Sequence, residues 1–114
     1  MKYMVMHYSN DANEADVPPS PEVIAGVAQF MGESAQSGVL LAAEGVRASS
    51  YGARLTVDGG KVTVKDGPFA EAKELIAGFA ILDVKTKEEA IEHATRFAKL
   101  VGATQVDVRL VSEF

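Results

Sequence analysis

The sequence of 114 residues contains no cysteine. The chain can therefore form no disulfide framework, no thiolate zinc site and no cysteine nucleophile. It also lacks any block of lysine and arginine, and its formal net charge is −5. Because surfaces that bind nucleic acids need clustered cationic side chains, we expect no nucleic-acid partner.

Long apolar runs are absent too, and none approaches the roughly 18 to 20 residues that span a bilayer. Residues 1–8 become polar too early for a secretory signal, so we expect a cytoplasmic protein with no membrane partner. The two histidines and the scattered acids show no metal-ligand spacing, and no glycine-rich phosphate loop is present. We therefore expect no metal and no cofactor.

What is present is typical of one globular domain over residues 1–114, with 47% hydrophobic and 24% charged residues. Ser20 and Pro21 suit the N-cap and first position of a helix that ends at Gly38. Thr86 and Glu89 form a capping-box pattern for a second helix that ends at Gly102. That helix is expected to bury Ala90, Ile91, Ala94, Phe97, Ala98 and Val101.

Alternation and turn signals predict six strands, at residues 2–8, 39–46, 54–57, 61–64, 78–84 and 105–111. Asp58-Gly59-Gly60 lies between the third and fourth strands and predicts a tight hairpin. The order is therefore β-α-β, a hairpin, then β-α-β. This order predicts an α+β fold of the ferredoxin-like type with an inserted hairpin.

Two of the predicted strands are apolar on both faces. In the second strand one face is expected to carry Val39, Leu41 and Ala43, and the other Leu40, Ala42 and Val46. In the fifth strand one face is expected to carry Phe79 and Ile81, and the other Ala80, Leu82 and Val84. Two helices cover only one face of a sheet, so the other face needs a partner. We expect a homodimer with two-fold symmetry, and the alternative is a curled sheet that closes on itself.

The segment 66–74 reads Asp-Gly-Pro-Phe-Ala-Glu-Ala-Lys-Glu and is the most informative part of the chain. Its first three residues are a turn signal, because Gly tolerates positive φ, Pro fixes φ and Asp bonds nearby backbone N–H groups. Asp66 is thus either a structural turn residue or a catalytic general base or ligand anchor. Glu71, Lys73 and Glu74 are either a solvated charged turn or a substrate-binding group that balances the charge of Asp66.

The two histidines lie in different predicted elements. His7 shares a face of the first strand with its apolar neighbours, and is either a core histidine held by one hydrogen bond or a catalytic acid or base. His93 lies on the second helix between Glu89 and Arg96. Its charged neighbourhood predicts a solvated surface residue.

Charged residues also interrupt otherwise apolar strands at Glu44, Asp107 and Arg109. Charges in such positions are seldom buried without partners. Asp107 and Arg109 share a face, and they pair either with each other or across a dimer. Arg109 is alternatively a site for an anionic ligand group. Glu44 and Arg109 are therefore further candidate substrate-binding residues.

Several stretches of the chain share the pattern of a known family. They are Met1-Lys2-Tyr3-Met4, Gly38-Val39-Leu40, Glu44-Gly45-Val46, the segment 66–74, Gly78-Phe79 and Val106-Asp107-Val108-Arg109. In them the chain resembles the DGPF-domain type of the YCII-related family. The resemblance implies a ferredoxin-like α+β fold that pairs into a dimeric α+β barrel.

Resemblance to the wider YCII-related family implies an enzyme that acts on a small molecule through a His–Asp pair. In that family the histidine of the pair lies on the first helix. The helix at 21–37 has no histidine, so this pair is not carried over. Our leading hypothesis is a dimeric small-molecule-binding protein. As an enzyme it would use proton-transfer or lyase-like chemistry on a small organic substrate. Asp66 would act as the base or ligand anchor, Glu71 and Lys73 would orient it or balance its charge, and His7 would be an additional acid or base. The alternative is a non-catalytic accessory or regulatory dimer that senses a ligand.

Overall fold

The structure is a computed structural model that describes residues 1–113. Within that range its strands are β1 Lys2–Tyr8, β2 Leu40–Gly45, β3 Ala53–Asp58, β4 Lys61–Asp66, β5 Ile76–Asp83 and β6 Val106–Leu110. Its helices are α1 Asp11–Glu14, α2 Pro21–Gln36 and α3 Lys87–Val101. Short 3₁₀ turns at Ser49–Tyr51 and Ala72–Glu74 lie on either side of the β3–β4 hairpin.

Four strands form the main sheet, in the spatial order β2-β5-β1-β6 with every neighbouring pair antiparallel. Helices α2 and α3 pack against each other, and each also packs on the sheet. This arrangement confirms the predicted ferredoxin-like α+β class. The second face of the sheet, which we call the open face, carries Met4, Met6, Phe79 and Ile81, all of them only partly buried.

The ends of the two long helices follow from local side-chain chemistry. The Val23 N–H donates to the Ser20 hydroxyl at 3.2 Å, directly before Pro21. The Glu89 N–H donates to the Thr86 hydroxyl, also at 3.2 Å. Gly102 ends α3 with φ +70°, where a residue without Cβ is favoured. The predicted caps and stop of these helices are confirmed.

The core lies between the sheet and the two helices. β1 contributes Tyr3 and Val5, the β5 region contributes alternate residues from Ala80 to Val84, and α3 contributes Ala90 and Ala94. The predicted facing of β5 is therefore confirmed. One helix residue expected in the core, Ile91, is instead 45% exposed and lines the groove between α3 and β6.

Strand β2 departs from strict alternation. Leu40 pairs with Leu82 and Ala43 pairs with Ala80, and the register shifts between them. Both Leu40 and Ala43 therefore pack against the core, while Leu41 is 49% exposed. The prediction that Leu41 and Ala43 share a face was wrong, because an irregularity of this kind moves the following residues to the other face.

Strands β3 and β4 form a separate two-stranded sheet. Asp58 pairs with Lys61, and the two glycines between them both have positive φ, as a tight hairpin turn requires. The predicted hairpin is confirmed. All residues of both strands are exposed. The paired side chains on one of its faces are Leu55, Val57, Val62 and Val64.

Candidate functional site

A cavity of about 700 Å³ lies between α2, α3 and the helix-covered face of the sheet. We call it the helix–sheet cavity. Most of its lining is apolar, and α2 supplies a large share through residues such as Val23, Val27 and Met31. Its lining includes the polar residues His7, Asn10, Asn13, Arg47 and His93, whereas Tyr8 and Glu44 border it from strand positions whose side chains belong to the open face. Its size and its mainly apolar wall with a few polar groups are typical of small-molecule sites.

His7 enters the cavity from β1. Its ring packs edge-on against Phe97 of α3, with the ring centroids 5.1 Å apart. Burial lowers the pKa of His7 below its ordinary value of 6.5, so the imidazole is neutral at pH 7. Within residues 1–113 no side chain forms a hydrogen bond with the ring. The ring is thus held by packing against Phe97 and Gly78 rather than by a side-chain hydrogen bond.

Gly78 makes room for the His7 ring. The two residues pair across β1 and β5. A Cβ atom at position 78 would lie 2.6 Å from His7 Nε2 and 3.0 Å from the carbonyl oxygen of Glu44. Because real side chains do not approach so closely, only glycine fits beside the imidazole in this arrangement.

His93 is the residue that the sequence analysis misplaced. It was expected on the surface, but it is only 8% exposed and lines the helix–sheet cavity. Its Nε2 atom lies 2.9 Å from the Ser34 hydroxyl of α2, and its ring is stacked at a tilt on Phe30 at 4.6 Å. Burial first, and then the charge of Arg96, lower the pKa of His93. The packing of α2 on α3 makes this residue part of the core.

Arg47 is the exposed cation on the rim of the cavity. Its guanidinium donates to the Asp16 carboxylate at 2.7 Å and lies 3.8 Å from the centre of the Tyr51 ring. The Tyr51 hydroxyl also donates to Asp16, at 3.1 Å. Hydrogen bonds from Arg47 and then from Tyr51 lower the pKa of Asp16. The cation at the rim is thus held in place by a carboxylate and an aromatic ring.

The segment 66–74 lies outside the lining of the cavity. Asp66 is the exposed last residue of β4 and pairs with Ala53. Glu71 and Lys73 are exposed in and beside the second 3₁₀ turn. None of the three lines the helix–sheet cavity with His7. Their roles in catalysis and substrate binding stay predictions.

The start of this segment is locked to the loop around Ser49. The Ser49 hydroxyl accepts the Phe69 N–H at 2.8 Å and donates to the Glu14 carboxylate. The other carboxylate oxygen of Glu14 accepts the Ser49 N–H at 2.8 Å. The Arg54 guanidinium lies 4.2 Å from the centre of the Phe69 ring. Glu14 of α1 thus holds two loops together, although no sequence motif marks it as a structural residue.

The remaining predicted site residues lie apart from one another. Glu44 is exposed at the end of β2 and borders the cavity that His7 lines. Arg109 lines a different groove, between α3 and β6. Asp107 accepts a hydrogen bond from the Tyr8 hydroxyl at 2.6 Å. Of the predicted site residues, the structure places His7 on the cavity wall with the backbone carbonyl of Glu44 close by, and it adds His93 and Arg47.

We expect the protein to lose stability as the pH falls from 7.5 to 5. The pKa values of His7 and His93 are lowered in the folded chain, so below pH 6.5 the unfolded chain binds more protons. Stability is full above 6.5 and declines as the pH falls toward the folded-state pKa values. Melting temperatures across this range measure it. His93→Gln should flatten the profile, and an unchanged slope in that variant would contradict the assignment.

No group of three or more His, Asp or Glu side chains within residues 1–113 is arranged to hold a metal ion. Over the same residues, no helix has both the length and the hydropathy of a membrane-spanning segment.

The fold and the cavity define an α+β domain of the ferredoxin-like class with an internal cavity. The sequence matches the model of the YCII-related domain over residues 1–114, and the chain belongs to that family. No curated protein matches it significantly.

A solved structure shares the fold. It is 5-chloro-2-hydroxyhydroquinone dehydrochlorinase from Burkholderia phenoliruptrix, in complex with 2,5-dihydroxybenzoquinone. The superposition has a TM-score of 0.52 at 9% sequence identity, and covers 100% of this chain and 96% of that one. At this identity the likeness concerns the fold, and it agrees with the expected ferredoxin-like architecture.

Proposed function

We propose that this protein binds a small organic molecule in the helix–sheet cavity and that His7 is the acid–base group of the site. The observation that carries the proposal is the half-buried imidazole of His7, without a hydrogen-bonding side chain in residues 1–113, on the wall of a mainly apolar cavity of about 700 Å³. A neutral imidazole accepts a proton from the substrate near pH 7, and the imidazolium formed in that step can return the proton, as acid–base catalysis requires.

The lining indicates the class of ligand. Apolar side chains from α2 favour a flat or aliphatic body, and the few polar groups favour one or two oxygen substituents. A single ring with hydroxyl or carbonyl groups meets both requirements. The dehydrochlorinase that shares the fold was solved with 2,5-dihydroxybenzoquinone, a ligand of this class. On such a ring His7 would move a proton to or from a hydroxyl group, as in lyase-like chemistry.

A non-catalytic dimer that senses the same class of ligand is the alternative. It would use the cavity in the same way but would leave the bound ring unchanged. Chromatography of a ring compound after incubation with the protein separates the two functions, because only an enzyme produces a new compound.

The binding test compares the two predicted acid–base residues directly. Calorimetric titration with 2,5-dihydroxybenzoquinone should give saturable binding, and His7→Asn should weaken it by about tenfold, the effect of losing one hydrogen bond to a charged group. Asp66→Asn, which changes a carboxylate outside the cavity, is the matched variant. Full binding by His7→Asn with weak binding by Asp66→Asn would overturn the cavity proposal and favour Asp66 as ligand anchor.

Asp66→Asn has a second use, since the turn role and the ligand role of Asp66 predict different stabilities. A fall of several degrees in melting temperature favours the structural turn. An unchanged or higher value favours a functional site, because such sites often trade stability for activity.

We further propose that the protein is a homodimer that buries the open face of the sheet. Met4, Met6 and Ile81 lie there beside the polar pair Tyr8 and Asp107. Burial of this exposed apolar face against a second, symmetry-related copy of the chain is energetically favourable.

Sedimentation should therefore give about twice the chain mass of 12.1 kDa. Met6→Asp should shift the protein to the monomer, because it places a second carboxylate on the face that holds Asp107. Ile91→Asp, on the outer side of α3, should leave the dimer intact. A wild-type monomer at all concentrations would contradict the proposal.

A further inference from the structure

His93 is a second polar group of the helix–sheet cavity, and it is held differently from His7. The side chain is 8% exposed, and its only hydrogen bond within residues 1–113 joins Nε2 to the Ser34 hydroxyl at 2.9 Å. Phe30 covers one face of the ring. A ring this confined has one orientation, so its other nitrogen, Nδ1, has a defined position.

The hydrogen bond with Ser34 determines which nitrogen carries the proton. Ser34 is itself buried, and within residues 1–113 its hydroxyl has no other partner. Buried hydroxyl protons are almost always donated, and the available acceptor is Nε2. Nε2 is then unprotonated. Since the neutral ring carries one proton, that proton is on Nδ1, which becomes a hydrogen-bond donor.

Nδ1 is not sealed in the core. Within residues 1–113, every fully buried side-chain nitrogen or oxygen has a hydrogen-bond partner. Because Nδ1 has no such partner, it must reach open space, and His93 lines the helix–sheet cavity. The accessible surface of Nδ1 and the position of His93 in the cavity lining together support a ligand atom as the acceptor of its hydrogen bond.

We infer that the Nδ1–H group of His93 donates a hydrogen bond to a carbonyl or phenolate oxygen of the ligand, and that Ser34 is the positioning residue that sets the tautomer. This inference rests on the proposed function, since it names an oxygen acceptor for the ligand of the same cavity. The cavity would then contain two imidazoles with different roles. His7 acts as an acid or base, whereas the protonated Nδ1 of His93 acts only as a hydrogen-bond donor.

The spacing of the two histidines narrows the ligand class further. Phe97 follows His93 by one helical turn and so shares its face of α3, and the His7 ring packs edge-on against Phe97. The two histidines thus reach the same cavity from different elements, His7 from β1 and His93 from α3. A ring with two oxygen substituents can bind both of them, whereas a ring with one can bind only one.

Nitrogen NMR of the imidazole groups tests the tautomer without any ligand. In the free wild-type protein at pH 7.5, His93 should carry its proton on Nδ1. Ser34→Ala should remove that preference while leaving the spectrum of His7 unchanged. A wild-type ring protonated on Nε2 would overturn the inference, whatever the protein binds.

Two substitutions separate the two nitrogens in a binding experiment with 2,5-dihydroxybenzoquinone. His93→Gln places an amide near Nε2, so it keeps a partner for Ser34 but loses the donor to the cavity. His93→Asn places an amide N–H near Nδ1 and keeps the donor. We expect His93→Gln to weaken binding tenfold or more and His93→Asn to weaken it less.

The outcomes distinguish this inference from the proposed function. Tight binding by wild type and by His93→Gln alike would overturn the inference and leave the cavity proposal intact. If wild type does not bind the quinone while His7 and His93 keep their expected NMR signatures, the cavity proposal loses this ligand, and an Nδ1-protonated His93 still supports the donor assignment.

Discussion

Gly67→Ala is expected to destabilise the protein by about 3 kcal/mol, the upper range for forcing atoms into a packed site. A Cβ atom at position 67 would lie 1.8 Å from the carbonyl oxygen and 2.5 Å from the carbonyl carbon of Ser49. Both are backbone atoms, so no change of rotamer relieves the overlap. Moving the loop at Gly67 away from the loop at Ser49 would relieve the overlap. It would also break the hydrogen bond from the Gly67 N–H to the Gly52 carbonyl oxygen, at 3.0 Å.

The same loops offer a matched control in Gly52→Ala. The nearest atom to a Cβ there is the Ser49 carbonyl oxygen at 3.7 Å, an ordinary contact, and the φ of −126° suits any residue. We expect a change within about 0.5 kcal/mol. Thermal unfolding should show a fall on the order of 10 °C for Gly67→Ala and little change for Gly52→Ala. Equal melting temperatures for the two variants would contradict the described packing of the segment 66–74.

Gly78→Ala is expected to weaken ligand binding tenfold or more by displacing His7. The added methyl group would lie 2.6 Å from Nε2 and 3.1 Å from Cδ2 of the imidazole. The ring has to move, and Phe97 on its other side limits where it can go. A ring that moves toward solvent loses its burial, so the pKa of His7 should rise toward 6.5. Titration of the His7 resonances measures this directly.

A double-mutant cycle isolates the contact between the two residues. In a His7→Ala background the imidazole is absent, and the nearest atom to the methyl group of Gly78→Ala is then the Glu44 carbonyl oxygen at 3.0 Å. The loss of stability should therefore be at least about 1 kcal/mol smaller than in the wild-type background, within the range of coupling for touching residues. Strictly additive effects, together with an unchanged His7 pKa, would show that Gly78 does not position the ring.

Local chemistry made much of the architecture predictable. The Ser20 and Thr86 caps depend on residues three apart, and the Gly59-Gly60 turn depends on two glycines that accept positive φ. Such signals act within a few residues and leave little for distant parts of the chain to change. The order of helices and strands, and with it the ferredoxin-like class, followed from these signals.

Burial on the helices was less predictable, because it depends on which elements pack together. Glu89 and Arg96 made the surroundings of His93 look solvated in sequence. In the fold, Ser34 and Phe30 of α2 cover the His93 ring, some 60 residues away along the chain. A contact at that separation leaves no periodic trace around His93 itself.

The candidate site likewise combines features that the sequence predicts with features that depend on how distant elements pack. The sequence by itself determined the two long helices, the strands, the hairpin, the YCII-related character of the chain and the position of His7 on a half-buried strand, but not the short helix α1. Only the tertiary structure decided that His7, His93 and Arg47 line one cavity while Asp66, Glu71 and Lys73 lie outside it. The physical reason is that caps and turns are local, whereas a cavity is the space left by elements that meet only when the whole chain has packed.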